Sequence, residues 1–178
     1  MRVFVAIPVP EEVGAALEDL QADLPLGRLA DPETFHVTLA FLGEEPDARV
    51  EAAHEALTGL AAAPFTLRLD GLGSFGGREV QALFAAVAPS EPLAALHRKV
   101  RSLLHGAGIM PDRRRFRPHV TLARFRTGEG GDPALARFLA RHAGFGSAPF
   151  PAAEVVLYRS HLTKGGAVHE PLAAYPLD

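Results

Sequence analysis

At 178 residues with 48% hydrophobic content, the chain can build one domain, or two small lobes over a shared core, and its composition is that of an ordinary globular protein. A net charge of −3 argues against a broadly basic nucleic-acid-binding surface but leaves room for a local basic pocket. The lack of cysteine removes disulfides, thiol nucleophiles and thiolate metal sites. The apolar opening Met1–Pro8 is too short for a signal peptide and no run reaches membrane-spanning length, so we expect a soluble, cytoplasmic protein.

In chain order, Arg2–Pro8 reads as a strand closed by Pro8 and Pro10. Val13, Ala16, Leu17 and Leu20 recur at helical spacing in Glu11–Asp23, with acids in the first turn. Pro25–Thr34 is a loop into a strand beginning near Phe35, which Gly43–Pro46 ends. Asp47 is placed to cap a second helix running to about Leu60, with Val50, Ala53, Leu57 and Leu60 inward. Pro64–Asp70 is a strand. Gly71-Leu72-Gly73-Ser74-Phe75-Gly76 matches the GxGxxG pattern, but that motif must open a helix, and the strand-like Val80–Val87 follows instead; we expect a connecting loop. Ser90 caps a third helix with Pro92 in its first turn, Leu93, Leu96, Val100, Leu103 and Leu104 apolar, and Gly106 and Gly108 at its end. The basic run Arg113–Arg117 precedes a strand from His119, Gly128–Gly131 is a loop, and Asp132-Pro133 starts a fourth helix, Ala134–His142. Glu154–Leu162 and Ala167–Tyr175 are strands around a Lys164-Gly165-Gly166 turn.

The succession β-α-β-α-β therefore occurs twice and is followed by one further strand. It reads as an internal duplication within one bilobal domain, residues 1–178, with halves of about 1–75 and 76–178. The middle strand of each half carries the same pentapeptide, His36-Val37-Thr38-Leu39-Ala40 and His119-Val120-Thr121-Leu122-Ala123. On a strand, residues two apart share a face, so His and Thr point together with roughly 7 Å of rise between them. The other face of the first copy, Phe35, Val37, Leu39 and Phe41, suits a core. If the halves pack about a pseudo-two-fold axis, both His-Thr faces line one cleft.

Two imidazoles flanking a phosphodiester supply a general base for the nucleophile and a general acid for the leaving oxygen, because a ring with a reference pKa of about 6.5 exists in both forms near neutrality. Thr hydroxyls and nearby arginines hold non-bridging oxygens. Arg117, Arg124 and Arg126 put positive charge beside the second copy. His161-Leu162-Thr163 has the same spacing without the flanking context and is read as structural. His54, His97, His105 and His142 fall on helices or helix ends and are read as surface positions.

These residues resemble the 2H phosphoesterase superfamily, named for paired His-x-Thr motifs, and within it the RNA 2′,3′-cyclic phosphodiesterases, also called 2′-5′ RNA ligases. The resemblance covers essentially the whole chain: Arg2–Ile7 as the opening strand, His36–Gly43 and Pro118–Arg124 as the two motifs, Gly71–Phe75 as the middle loop, and Ser160-x-Leu162 through Gly166 as the closing hairpin. Where His169 stands, the family often has Tyr. The resemblance implies an α+β bilobal fold with two antiparallel sheets and outer helices around a central cleft. It also implies ATP-independent hydrolysis of an RNA 2′,3′-cyclic phosphodiester to a 2′-phosphomonoester without metal or cofactor. By the same implication His36 is the proton donor and His119 the proton acceptor. Thr38, Thr121, Arg124 and Arg117 are expected to bind phosphate. The expected partners are RNA ends bearing a 2′,3′-cyclic phosphate, such as tRNA fragments or nucleotides, met by a monomer. Running the same chemistry backwards would join a cyclic end to a 5′-hydroxyl. The alternatives are a 2H phosphoesterase acting on another cyclic or 2′-5′ phosphodiester, a metal-dependent hydrolase using His36, His119 and further His or Asp, and a non-catalytic RNA-binding module. The last wants a basic face and stacked aromatics, whereas the chain has two Tyr and no Trp.

Overall fold

A computed structural model describes residues 1–178. The elements are β1 (Arg2–Pro8), α1 (Glu11–Ala22), a two-residue β2 (Arg28–Leu29), β3 (His36–Glu44), α2 (Asp47–Leu57), β4 (Phe65–Leu67), β5 (Leu69–Phe75), β6 (Ala82–Val87), α3 (Glu91–Gly106), β7 (His119–Arg124), α4 (Pro133–Arg141), β8 (Phe150–Ala152), β9 (Glu154–Thr163) and β10 (Gly166–Pro176). No helix is long and apolar enough to cross a membrane.

Local chemistry sets most of the boundaries. Ser90 Oγ accepts from the Leu93 amide at 3.2 Å and starts α3, which buries Leu93, Leu96, Val100 and Leu104. Asp132 caps α4 through the Ala134 amide at 2.9 Å. Asp47, expected as a cap, is instead the first residue of α2; Pro46 holds the cap position without a side-chain hydrogen bond, and Asp47 favours the helix through its charge at the positive end. That helix stops at Leu57 rather than Leu60 because the chain turns at Thr58-Gly59.

The sheets are antiparallel and cross-connected. One has strand order β10-β9-β1-β3 and the other β2-β7-β6-β5, while β4 and β8 form a separate pair. The unit β1-α1-β3 recurs as β6-α3-β7. The last strand of each half is exchanged: β5 leaves the first half to pair with β6, and β9 leaves the second to pair with β1. Each sheet thus takes strands from both sides of residue 75. The segment expected as one strand, Pro64–Asp70, is split by this exchange into β4, paired with β8, and the start of β5.

The glycine-rich stretch expected to be a loop is a strand, since Gly71–Phe75 lies in β5 and pairs with β6. Glycine is a poor strand former, but here it is required. A Cβ on Gly73 would lie 2.5 Å from the Phe84 ring on the neighbouring strand, so the missing side chain lets that ring lie against the β5 backbone. One cluster of 33 buried residues draws on both sheets and all four helices, so the lobes share a single core. The sheets meet where β3 approaches β7.

Candidate active site

Both pentapeptides bulge at the same leucine. In the first, Val5 pairs with Ala40 and Ala6 with Thr38, leaving Leu39 extra. In the second, Leu83 pairs with Ala123 and Phe84 with Thr121, leaving Leu122 extra. A bulge puts two consecutive residues on one side and re-aims all that follow. Leu39 and Ala40 are both buried, as are Leu122 and Ala123. Phe41, which strict alternation places in the core, therefore emerges half-buried on the His36 side, paired with Phe4 and covered by the Arg2 guanidinium at 5.0 Å. The same device turns Arg124 to the His119 and Thr121 side. Alternation alone would send it to the opposite face.

The imidazoles are oriented alike. His36 Nδ1 lies 2.6 Å from Thr34 O and His119 Nδ1 lies 2.5 Å from Arg117 O. A carbonyl only accepts, so each Nδ1 carries hydrogen and each neutral ring keeps its lone pair at Nε2. Thr38 Oγ1 donates to His36 Nε2 at 2.9 Å. Thr121 is half-buried beside His119 and makes no equivalent bond.

Burial holds His36 down to about 4. The Thr34 carbonyl works against that, while the charges of His169, His119 and Arg124 add to it. His119 is also lowered, first by burial, against the Arg117 carbonyl, and then by Arg117 and Arg124. Arg124 thus acts on both rings, which places the two motifs within one electrostatic neighbourhood.

Each His ends a row of rings across its sheet. His36 on β3 packs on Phe4 of β1 at 4.8 Å between centroids, and Phe4 stacks on Tyr158 of β9 at 5.2 Å. His119 on β7 packs on Phe84 of β6 at 4.9 Å, and Phe84 on Phe75 of β5 at 4.6 Å. His169 lies 5.1 Å from His36, edge-on and half-buried, with its own pKa lowered by burial. Arg117 spreads its guanidinium over Phe75 and Phe84 at 5.0 and 5.5 Å. It therefore reaches the second motif through the aromatic row.

Sequence reading did not single out Phe4, Phe84 and Tyr158. The available signal was a lone Phe at the centre of the buried strand preceding each His strand. Two histidines read as surface groups are half-buried. His97 stacks on Phe116 at 3.8 Å, and His142 lies 3.2 Å from the Asp23 carboxylate, because packing between a helix and a neighbouring segment overrode the amphipathic pattern. His54 and His105 are exposed, and His161 is tied to Glu170 at 2.8 Å. No three His, Asp or Glu side chains converge at metal-ligand spacing.

The 2′-5′ RNA ligase superfamily model matches residues 9–164. A Geobacillus stearothermophilus protein named RNA 2′,3′-cyclic phosphodiesterase is 36% identical over 98% of this chain, which spans only 56% of that relative's length. A Thermus thermophilus protein of the same name is 32% identical over 99% of this chain and 90% of its own. The solved structure of Escherichia coli LigT in apo form superposes with a TM-score of 0.79 at 26% identity, covering 99% of this chain and 96% of that one. With the family model spanning both His-x-Thr strands, the chain belongs to the 2′-5′ RNA ligase superfamily, the family of 2H phosphoesterases.

Proposed function

We propose that this chain hydrolyses RNA 2′,3′-cyclic phosphodiesters to 2′-phosphomonoesters, with the two imidazoles as its acid and base. The observation that carries this reading is the twin presentation of Nε2: two bulged strands, two Nδ1–H groups anchored on backbone carbonyls, and one arginine acting on both rings. The names of relatives aligned along nearly the whole chain support the same activity.

In this mechanism the cyclic phosphate sits between the Nε2 atoms. His119 Nε2 takes a proton from water as its oxygen attacks phosphorus. The P–O3′ bond breaks, and His36 Nε2–H gives its proton to O3′, leaving phosphate on O2′. Thr38, Thr121 and Arg124 hold the non-bridging oxygens as charge grows on them, and Arg117 fixes the second row of rings. A free His36 held near 4 is neutral at pH 7. The bound phosphate anion supplies the opposite charge that favours the imidazolium, so the acid is armed when substrate arrives. A 5′-hydroxyl in place of water gives a 2′-5′ linkage by the same proton transfers, without ATP.

The test is hydrolysis of an oligoribonucleotide ending in a 2′,3′-cyclic phosphate. His36→Ala and His119→Ala should each lower the rate by about 10²–10⁴-fold or more. The wild-type product should carry its phosphate on O2′, and chelator should leave the rate unchanged. Wild-type turnover by the double variant would overturn the reading.

A further inference from the structure

We infer that a second anion subsite lies at the Arg124 end of the cleft and takes a backbone phosphodiester upstream of the cyclic end, so that oligoribonucleotides are favoured over mononucleotides. This rests on the cyclic-phosphodiester reading of the cleft. Just past β7, a cavity of about 440 Å³ opens between the segments 77–81 and 125–127, with Arg78, Glu79, Gln81, Arg126 and Thr127 in its lining. Arg126 stands past the end of β7, at most about 17 Å along the chain from Thr121, a span that a short RNA strand covers.

The walls are built rather than loose. Phe125 N donates to Gln81 O at 3.0 Å, Gln81 N to Phe75 O at 2.8 Å, and Val80 N to Gly130 O at 3.2 Å. Gly130 packs so closely on Val80 that a Cβ would fall 2.0 Å from its carbonyl oxygen. The acids nearby are turned to backbone amides: Glu79 accepts from Gly128 N at 2.9 Å, and Glu129 from Arg126 N at 2.7 Å. Neither Arg78 nor Arg126 makes an ion pair, although Arg49, Arg68, Arg98 and Arg114 all do.

Charge at the rim points to the same ligand class. Arg28 of β2 is paired directly opposite Arg124 of β7. Like charges in that relation are unfavourable unless an anion lies between or beside them. The Arg28 guanidinium is laid against the β9–β10 turn, 3.1 Å from where a Gly166 Cβ would be. In a chain of net charge −3, four guanidiniums outside any ion pair at the Arg124 end of one sheet fit a polyanion.

The experiment compares a six-nucleotide RNA ending in a 2′,3′-cyclic phosphate with cytidine 2′,3′-cyclic phosphate. For Arg78→Ala/Arg126→Ala, we expect kcat/KM on the oligonucleotide to fall about tenfold or more, with the mononucleotide value within about twofold of wild type. The logarithmic salt slope for the oligonucleotide should fall by roughly 1.4, two phosphate contacts at about 0.7 each on a single strand. Equal losses on both substrates, or none on either, would overturn the subsite. Binding of a fluorescent, uncleavable six-nucleotide RNA is read in parallel. It should weaken in the same double variant and stay unchanged in Arg68→Ala/Arg98→Ala, which removes equal charge from surface ion pairs; equal weakening in both would show general attraction and overturn the subsite. Wild-type failure to turn over either substrate would instead sink the catalytic reading, while the binding comparison would still decide the subsite.

Discussion

The two His-Thr strands share a sequence, a bulge and a backbone anchor, yet they are not equivalent. The first is closed. His36 is held by Thr38, packed on Phe4, faced by His169 and pushed down to about 4. The second is more open and cationic: Thr121 makes no bond to His119 Nε2, and Arg124 stands where the first copy has Phe41. A duplicated strand thus supplies two identical functional groups, and their neighbours suit each to a separate task in the reaction proposed above. An open Nε2 suits a base meeting water, and an enclosed ring suits an acid whose charge appears only with substrate.

Substitutions in the surroundings break this division in graded fashion. The largest effect after the histidines themselves is expected for Arg124→Ala, which by the proposed mechanism removes a charge-assisted phosphate contact of about 1.5–3 kcal/mol and should lower kcat/KM by about 10–150-fold; steady-state kinetics checks it. Arg124→Lys should recover only part, since a bidentate fork is lost. Next comes Gln21→Leu. The buried Gln21 amide on α1 donates to Leu122 O at the second bulge and to Ala30 O, both at 2.9 Å, tying the first lobe to the second His strand. Losing it should cost about 1–3 kcal/mol in denaturant unfolding and lower kcat more than it raises KM.

pH sharpens the comparison further. Because the folded pKa of His36 is depressed from 6.5 to about 4, its burial contributes stability above pH 6.5 that is lost as pH falls through that window. The shift corresponds to on the order of 3 kcal/mol, and His36→Gln should flatten that part of the stability profile. In catalysis, phosphate binding raises the ring that must hold a proton, so the alkaline limb of kcat should lie at higher pH than that of kcat/KM. The smallest effect is expected for Thr121→Val against Thr38→Val. Only the latter breaks an existing bond to His36, so only it should move the kcat/KM profile.

Much of this was legible in the residues. Spacing and caps located all four helices, and the repeated pentapeptide located both His strands, because these signals are local. The exchange of β5 and β9 was not legible, since pairing partners are set by packing across the whole chain. The bulges were invisible for the same reason. Nothing in Val-Thr-Leu-Ala says that Leu39 or Leu122 will be the extra residue, so alternation misplaced Phe41. Gly73 misled in the other direction: its propensity says loop, but the Phe84 ring across the ladder needs a residue without a side chain.

The central claim is that both imidazoles serve one phosphate. It is tested most directly by ¹⁵N NMR titration of His36 and His119 with and without uridine 2′-monophosphate, the simplest form of the product. Without ligand, His36 should titrate near 4 and His119 below 6.5; with ligand, both Nε2 resonances should shift and both pKa values should rise. Movement of one ring alone, or of neither, would contradict the account.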